Sequence, residues 1–336
     1  MTEIKYTRKD FVSDQEVKWC AGCGDYSILS AVTNALPEIG INKKDIVFVS
    51  GIGCSSRFPY YVDTYGIHGL HGRAAALASG VKVSHPHLSV WIATGDGDSM
   101  AIGGNHFIHL IRRNIDVNLI LFNNEIYGLT KGQYSPTSPL GHVTKTSPHG
   151  TVEHPFKPAE LVMGSEGTFF ARVPDTNPKM MKEVFIEAAK HNGASIVEVL
   201  QNCVIFNNNT HEEITGKEVR DDHQIYLKHG EKMIFGAENN KGLVLEGLKL
   251  KVVTIGEDGY TLDDILVHNA KDKDATMHYL LGRMSLPEFP VAMGVIRAVD
   301  AAVYNDELEK QISNAKATSK IKNMNDLVNA GETFVL

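Results

Sequence analysis

Four short β-branched runs, at 45–50, 88–94, 117–122 and 195–200, alternate with helix-like stretches near 25–37, 72–83, 99–113 and 177–191. Runs this apolar leave no polar face for solvent. Each must be covered on both sides, as a strand is inside a parallel sheet flanked by helices. That alternation predicts an α/β fold: a doubly wound, mostly parallel sheet followed by a C-terminal extension. With 336 residues the chain can bury such a core. Its 43% hydrophobic and 22% charged content is that of a globular protein, not a disordered or fibrous one. The net charge of −7 argues against nucleic acid as a partner. No apolar run approaches the ~18 residues of a membrane span. The first ten residues carry no apolar core of a secretory signal, so the expected location is cytoplasmic.

In open α/β sheets, ligands bind beyond the carboxyl ends of the strands. The unusual segments of this chain all fall there. Residues 51–56, Gly-Ile-Gly-Cys-Ser-Ser, follow the first run, and Gly95-Asp96-Gly97-Asp98 follows the second. Asn123-Asn124-Glu125-Ile126-Tyr127-Gly128 follows the third and Cys203 the fourth. One composite site accounts for all four. Glycines allow close approach to a diphosphate, but the third glycine of a dinucleotide fingerprint is missing here. Asp96 would repel a bare diphosphate unless a cation stood between them, and Mg²⁺ takes such a mixture of carboxylate, other oxygen and phosphate ligands. A glycine-rich turn capped by an aspartate is the plain alternative for the tetrapeptide alone.

The interval decides in favour of the first reading. Residues 98–122 separate Gly97 from Asn123-Asn124, room for a helix and a strand that return to the same rim. The pattern resembles the thiamine-diphosphate motif. That resemblance implies Mg²⁺ ligands at Asp96, Asn124 and the carbonyl of Ile126.

Cys20, Cys23, Cys54 and Cys203 are the only cysteines, and each lies in a polar or glycine-rich stretch, not in an apolar run. They are too few for a disulfide framework. A four-cysteine iron–sulfur cluster would accept electrons from a thiamine-stabilised carbanion. A zinc site in a non-catalytic binding protein is the rival, although zinc knuckles usually pair two C-x-x-C units. A redox pair at Cys20 and Cys23 would leave the other two unexplained.

Together, Trp19-Cys20-Ala21-Gly22-Cys23-Gly24-Asp25-Tyr26, Gly51-Ile52-Gly53-Cys54-Ser55, Leu70-His71-Gly72-Arg73, Gly95-Asp96-Gly97-Asp98 and the 127–133 segment Tyr-Gly-Leu-Thr-Lys-Gly-Gln resemble the β subunit of 2-oxoacid:ferredoxin oxidoreductases. The resemblance spans about 15–205. It implies one four-iron–four-sulfur (4Fe-4S) cluster on Cys20, Cys23, Cys54 and Cys203. It also implies thiamine diphosphate contacts from Ile52, Gly53, Cys54 and Ser55, from His71, from Gly95, Asp96, Gly97 and Asp98, and from Asn124, Gly128 and Leu129. It implies further that CoA is a co-substrate, that ferredoxin accepts the electrons, and that an α subunit completes the enzyme as an αβ pair or its dimer. No motif here supplies the carboxylate that activates the aminopyrimidine ring, so the β chain alone should be inactive.

The expected division is 1–205 for the thiamine-diphosphate and cluster domain and 206–336 for an extension at a subunit interface. Within the extension, 248–254 reads as an edge strand and the stretch from 296 as helix plus tail. Residues 131–160, rich in Pro, Gly, Ser, Thr and His, read as a long functional loop. Lys131 sits at its start, just past Gly128 and Leu129. A lysine there would pair with the second carboxylate of 2-oxoglutarate, which pyruvate lacks, and family members with a lysine here resemble 2-oxoglutarate or broad-specificity enzymes. The expected reaction is CoA-dependent oxidative decarboxylation of 2-oxoglutarate, with a pyruvate or broad-specificity enzyme as the alternative and with reversal possible given a ferredoxin of low potential. His85 and His87 read as an exposed turn, His106 and His109 as core-facing or interfacial.

Overall fold

The computed structural model describes residues 5–332 and 334. Eight strands form one sheet in the order Tyr65–His68, Ile46–Ser50, Ser89–Gly95, Val117–Asn123, Ala194–Leu200, Phe169–Pro174, Val291–Ala298 and Gln224–Leu227. Every pairing is parallel except that of Val291–Ala298 with Phe169–Pro174. The central strands Val117–Asn123 and Ala194–Leu200 are buried at every position, as their unbroken apolar runs require. Helices cover both faces. Phe107, Leu110 and Ile111 pack with Ile92 and Leu119 on one face, and Ile28, Val32 and Phe185 with Phe48, Trp91 and Val197 on the other.

Local chemistry sets the helix limits. Asp25–Ile39 stops at Gly40, whose φ of 75° is the left-handed turn that closes many helices. Pro178–Lys190 starts with proline in its first turn and with the Asn177 side chain accepting from the Met180 amide. The stretch expected as one helix over 99–113 is two, Asp96–Met100 and Gly104–Arg112. The break admits the 71–72 loop: a Cβ on Gly72 would lie 2.6 Å from the Gly103 nitrogen.

The sheet runs across 205/206, because Gln224–Leu227 and Val291–Ala298 extend it. The extension also builds a small antiparallel sheet in which Lys249–Thr254 is the outer strand. The final stretch begins inside a sheet strand and only then becomes helical, over Tyr304–Thr318 and Met324–Val328. No helix among the described residues is long and apolar enough to cross a membrane.

Candidate functional site

Five loops meet at the carboxyl rim of the sheet and enclose a cleft of about 180 Å³. Residues 52–55 and 95–98 line it, with His71, Asn124, Ile126 and the turn 127–130. All the residues expected to contact the diphosphate cofactor lie on this one cleft; Lys131 does not, and its side chain is exposed. The Lys131 backbone has a φ of 79°, unusual for a residue with a Cβ, and its amide donates to the Gly128 carbonyl at 3.1 Å.

Close packing explains the glycines. A Cβ on Gly97 would fall 2.2 Å from the Tyr127 ring, whose hydroxyl donates to the Gly97 carbonyl at 3.0 Å. Asp96 is fully buried, and burial pushes its carboxyl up to about 6, a cost that a bound cation would relieve. The Asn124 amide is aimed by Gln201, whose Oε1 accepts from Nδ2 at 2.7 Å, and the Asn124 Oδ1 accepts from the Ile126 amide at 3.2 Å. A buried carboxylate, a fixed amide oxygen and the adjacent Ile126 carbonyl form the hard-oxygen donor set that Mg²⁺ prefers.

Asp98 lines the cleft and also ties its loops together. Its Oδ1 accepts from the Ile52 amide at 3.1 Å, the Gly72 amide at 2.7 Å and His71 Nδ1 at 2.6 Å. Its Oδ2 accepts from Thr94 Oγ1 at 2.8 Å. Four donors engage this carboxylate, which rivets the 51–52 and 71–72 loops together.

A second cavity of about 210 Å³ lies behind the first and is lined by all four cysteines with Trp19, Asp25, Arg57 and Gln201. Three separate pieces of chain bring the thiols there. The Cys23 amide donates to the Cys20 carbonyl at 3.1 Å in the first turn, Trp19 Nε1 donates to the Cys54 carbonyl at 2.8 Å, and Asn207 closes the turn after Cys203 at 3.0 Å. A Cβ on Gly128 would sit 3.4 Å from the Cys203 sulfur and 3.7 Å from that of Cys54. Burial pushes the Cys23 thiol up and the Cys54 thiol up to about 12, with Asp25 and the other sulfurs adding to the effect. Such thiols ionise only beside a cation. Among the described residues no three His, Cys, Asp or Glu side chains are grouped as a single metal ion needs. An iron–sulfur cube instead wants its four thiolates spread around a cavity. His85 and His87 stay exposed, while His109 Nδ1 is buried without a hydrogen-bond partner.

The two cavities share a wall. Cys54, Asn124, Gly128, Leu129 and Gln201 line both. Gln201 bridges it, holding Asn124 through Oε1 and reaching Cys23 Sγ through Nε2 at 3.4 Å. Sequence reasoning passed over Gln201, although its place between a strand end and Cys203 is a signal. It also passed over residues 207–211, where Asn207 donates to the Asn124 carbonyl at 3.0 Å, Thr210 to Glu125 Oε2 at 3.1 Å, and His211 Nε2 lies 2.9 Å from the Asn123 carbonyl. Asp25, just after the C-x-x-C, is buried with no hydrogen-bond partner for either oxygen, and burial with nearby Asp175 pushes it up to about 7.

A family model described as "Thiamine pyrophosphate enzyme, C-terminal TPP binding domain" matches residues 51–199. The "2-oxoglutarate oxidoreductase subunit KorB" of Mycobacterium tuberculosis is 45% identical over 98% of this chain and 88% of its own length. The "2-oxoglutarate synthase subunit KorB" of Archaeoglobus fulgidus is 45% identical over 55% of this chain and 69% of its own. Among solved structures, a chain of the 2-oxoglutarate:ferredoxin oxidoreductase from Magnetococcus marinus with 2-oxoglutarate, coenzyme A and succinyl-CoA bound superposes with a TM-score of 0.78. That match has 31% identity and covers 99% of this chain and 98% of the other.

Proposed function

Since the chain belongs to the β subunits of the 2-oxoacid:ferredoxin oxidoreductases, we propose that with its α subunit it converts 2-oxoglutarate and CoA to succinyl-CoA and CO₂, passing two electrons singly to ferredoxin. The names of the relatives support 2-oxoglutarate over pyruvate. A ferredoxin of low enough potential would drive the reverse carboxylation. The setting is the cytoplasm, and the part of 206–336 that lies outside the central sheet and the rim loops serves subunit packing.

Thiamine diphosphate supplies the carbanion chemistry of decarboxylation, and a 4Fe-4S cluster takes the electrons. Asp96, Asn124 and the Ile126 carbonyl would hold Mg²⁺ under the diphosphate, with the 52–55 and 95–98 loops around it. Cys20, Cys23, Cys54 and Cys203 would hold the cluster. The observation that carries the reading is the shared wall: Cys54 and Gly128 line both cavities, so a thiamine cofactor held in one and a cluster held in the other would be neighbours. The test is anaerobic purification with the α subunit. Brown absorbance that bleaches on adding 2-oxoglutarate and CoA is the expected result, and a colourless, zinc-containing complex would overturn it.

Lys131 stands as the partner for the distal carboxylate of the substrate. It lies outside the cleft of this chain at the start of the rim loop, so its reach depends on a site completed by the α subunit. A charge-assisted hydrogen bond of about 1.5–3 kcal/mol corresponds to roughly ten- to a hundredfold. Lys131→Met is therefore expected to lower kcat/KM for 2-oxoglutarate by that factor and to spare 2-oxobutyrate. Equal losses on both substrates would make its role structural, and no loss on either would return it to the surface.

A further inference from the structure

Beneath the cation ligands lies a turn, Ser135-Pro136-Thr137-Ser138, in the loop that the sequence marks as functional without saying why. We propose that Thr137 and Ser135 are positioning residues that aim the Asp96 carboxylate at the cofactor's cation, a role that rests on reading Asp96 as a cation ligand.

The two hydroxyls converge on one oxygen. Thr137 Oγ1 donates to Asp96 Oδ2 at 2.6 Å, and Ser135 Oγ donates to the same atom. Neither bonds to Oδ1, and Asp96 lines the cleft. Two bonds on one oxygen fix the plane of the carboxylate as well as its place. Mg²⁺ tolerates little ligand wander, because it demands near-octahedral geometry at short range.

The turn is itself held on three sides. The Ser135 amide donates to Ser138 Oγ at 2.8 Å, and Ser138 Oγ donates to the Glu125 carbonyl at 2.5 Å. The one hydroxyl proton of Thr137 is shared between Asp96 Oδ2 and Asn123 Oδ1, which lies 2.9 Å from Oγ1. The Asn123 amide cannot turn over, because its Nδ2 donates to Glu198 Oε1 at 2.8 Å and Glu198 Oε2 is gripped by Arg172 Nε at 2.7 Å. Ser135, Thr137, Asn123 and Glu198 are all buried, so no water competes for these bonds. A turn that merely filled space would not need both hydroxyls on one carboxylate oxygen.

Outer partners of metal ligands are typically worth ten- to a hundredfold in metal affinity. The test is a calorimetric titration of the αβ complex, stripped of cofactor with a chelator, with thiamine diphosphate at low and at high Mg²⁺. Thr137→Val keeps the shape and removes the donor. It is expected to weaken binding roughly ten- to a hundredfold at low Mg²⁺, with recovery as Mg²⁺ rises, while Thr137→Ser binds like the parent. Ser135→Ala shifts binding the same way, and it carries the test if thermal melting shows that Thr137→Val does not fold. Parental binding and Mg²⁺ dependence in Thr137→Val would overturn the proposal, as would equal impairment of Thr137→Val and Thr137→Ser, which is a packing effect. Asp96→Asn in the same titration separates the two readings. If it too binds like the parent, Asp96 is not a cation ligand. If it fails while Thr137→Val binds normally, only the positioning role falls.

Discussion

The Cys54→Ser enzyme is expected to lose its iron and to reduce no ferredoxin. Serine replaces a soft thiolate by a hard, weakly acidic oxygen, a poor partner for iron. The site makes the exchange harsher. Burial already pushes the Cys54 thiol up to about 12, so its negative form is costly there and a bound cation would favour it. A serine hydroxyl is a far weaker acid and would stay neutral. Cys54 also belongs to both cavities, so its loss cuts the electron route as well as the cluster. Iron and sulfide analysis of the purified αβ complex, with the visible spectrum and a ferredoxin-reduction assay, reads the outcome. Any decarboxylation that survives should deliver no electrons. Normal ferredoxin reduction with parental iron content would mean that the cluster sits elsewhere, on the partner subunit.

Removing the charge of Asp96 is expected to cost the enzyme its cofactor while leaving its iron in place. A carboxylate facing a divalent cation in a water-excluded site is a buried charge pair, and truncating one member costs about 2–5 kcal/mol, roughly thirty- to several-thousandfold in affinity. Asp96→Ala loses the charge and also strands the hydroxyls of Ser135 and Thr137. Asp96→Asn keeps an acceptor for both hydroxyls but turns an amide NH₂, no ligand for a cation, the other way, so similar losses in the two variants would identify the lost charged ligand oxygen, not the stranded hydroxyls, as the cause. Equilibrium dialysis with thiamine diphosphate and Mg²⁺, alongside iron analysis, checks it. Full cofactor retention by Asp96→Ala would remove Asp96 from the cation site.

Much of this architecture was legible because burial leaves a mark on composition. The runs at 45–50, 88–94, 117–122 and 195–200 became strands within one residue at either end, and their rim segments enclose the cleft. Four strands of the same sheet were not legible: the two edge strands Tyr65–His68 and Gln224–Leu227, and two inside it. Phe169–Pro174 carries Arg172 at its centre, and Val291–Ala298 carries Gly294 and Arg297, which break the apolar pattern. Both charges are nonetheless buried and partnered: Arg172 by Glu198, and Arg297 by the Gly167 and Asp272 carbonyls at 2.8 and 3.0 Å. A charge looks solvated in a sequence until the structure supplies its partner.

The sequence by itself determined which segments had to be covered on both faces, where the glycine turns fell relative to strand ends, and which cysteines had no place in an apolar core. These are local properties, set by side-chain polarity and by the few residues that tight turns accept. The partners were settled only by the tertiary structure. Asp98, two residues from Asp96, became a rivet because the 51–52 and 71–72 loops arrive at its oxygens. Asp96 is gripped by hydroxyls 39 and 41 residues away, and Gln201 reaches Cys23 across 178. Such contacts depend on the order in which the sheet lays its strands side by side, and strand order follows from the packing of the whole chain, which the polarity of any one segment does not encode.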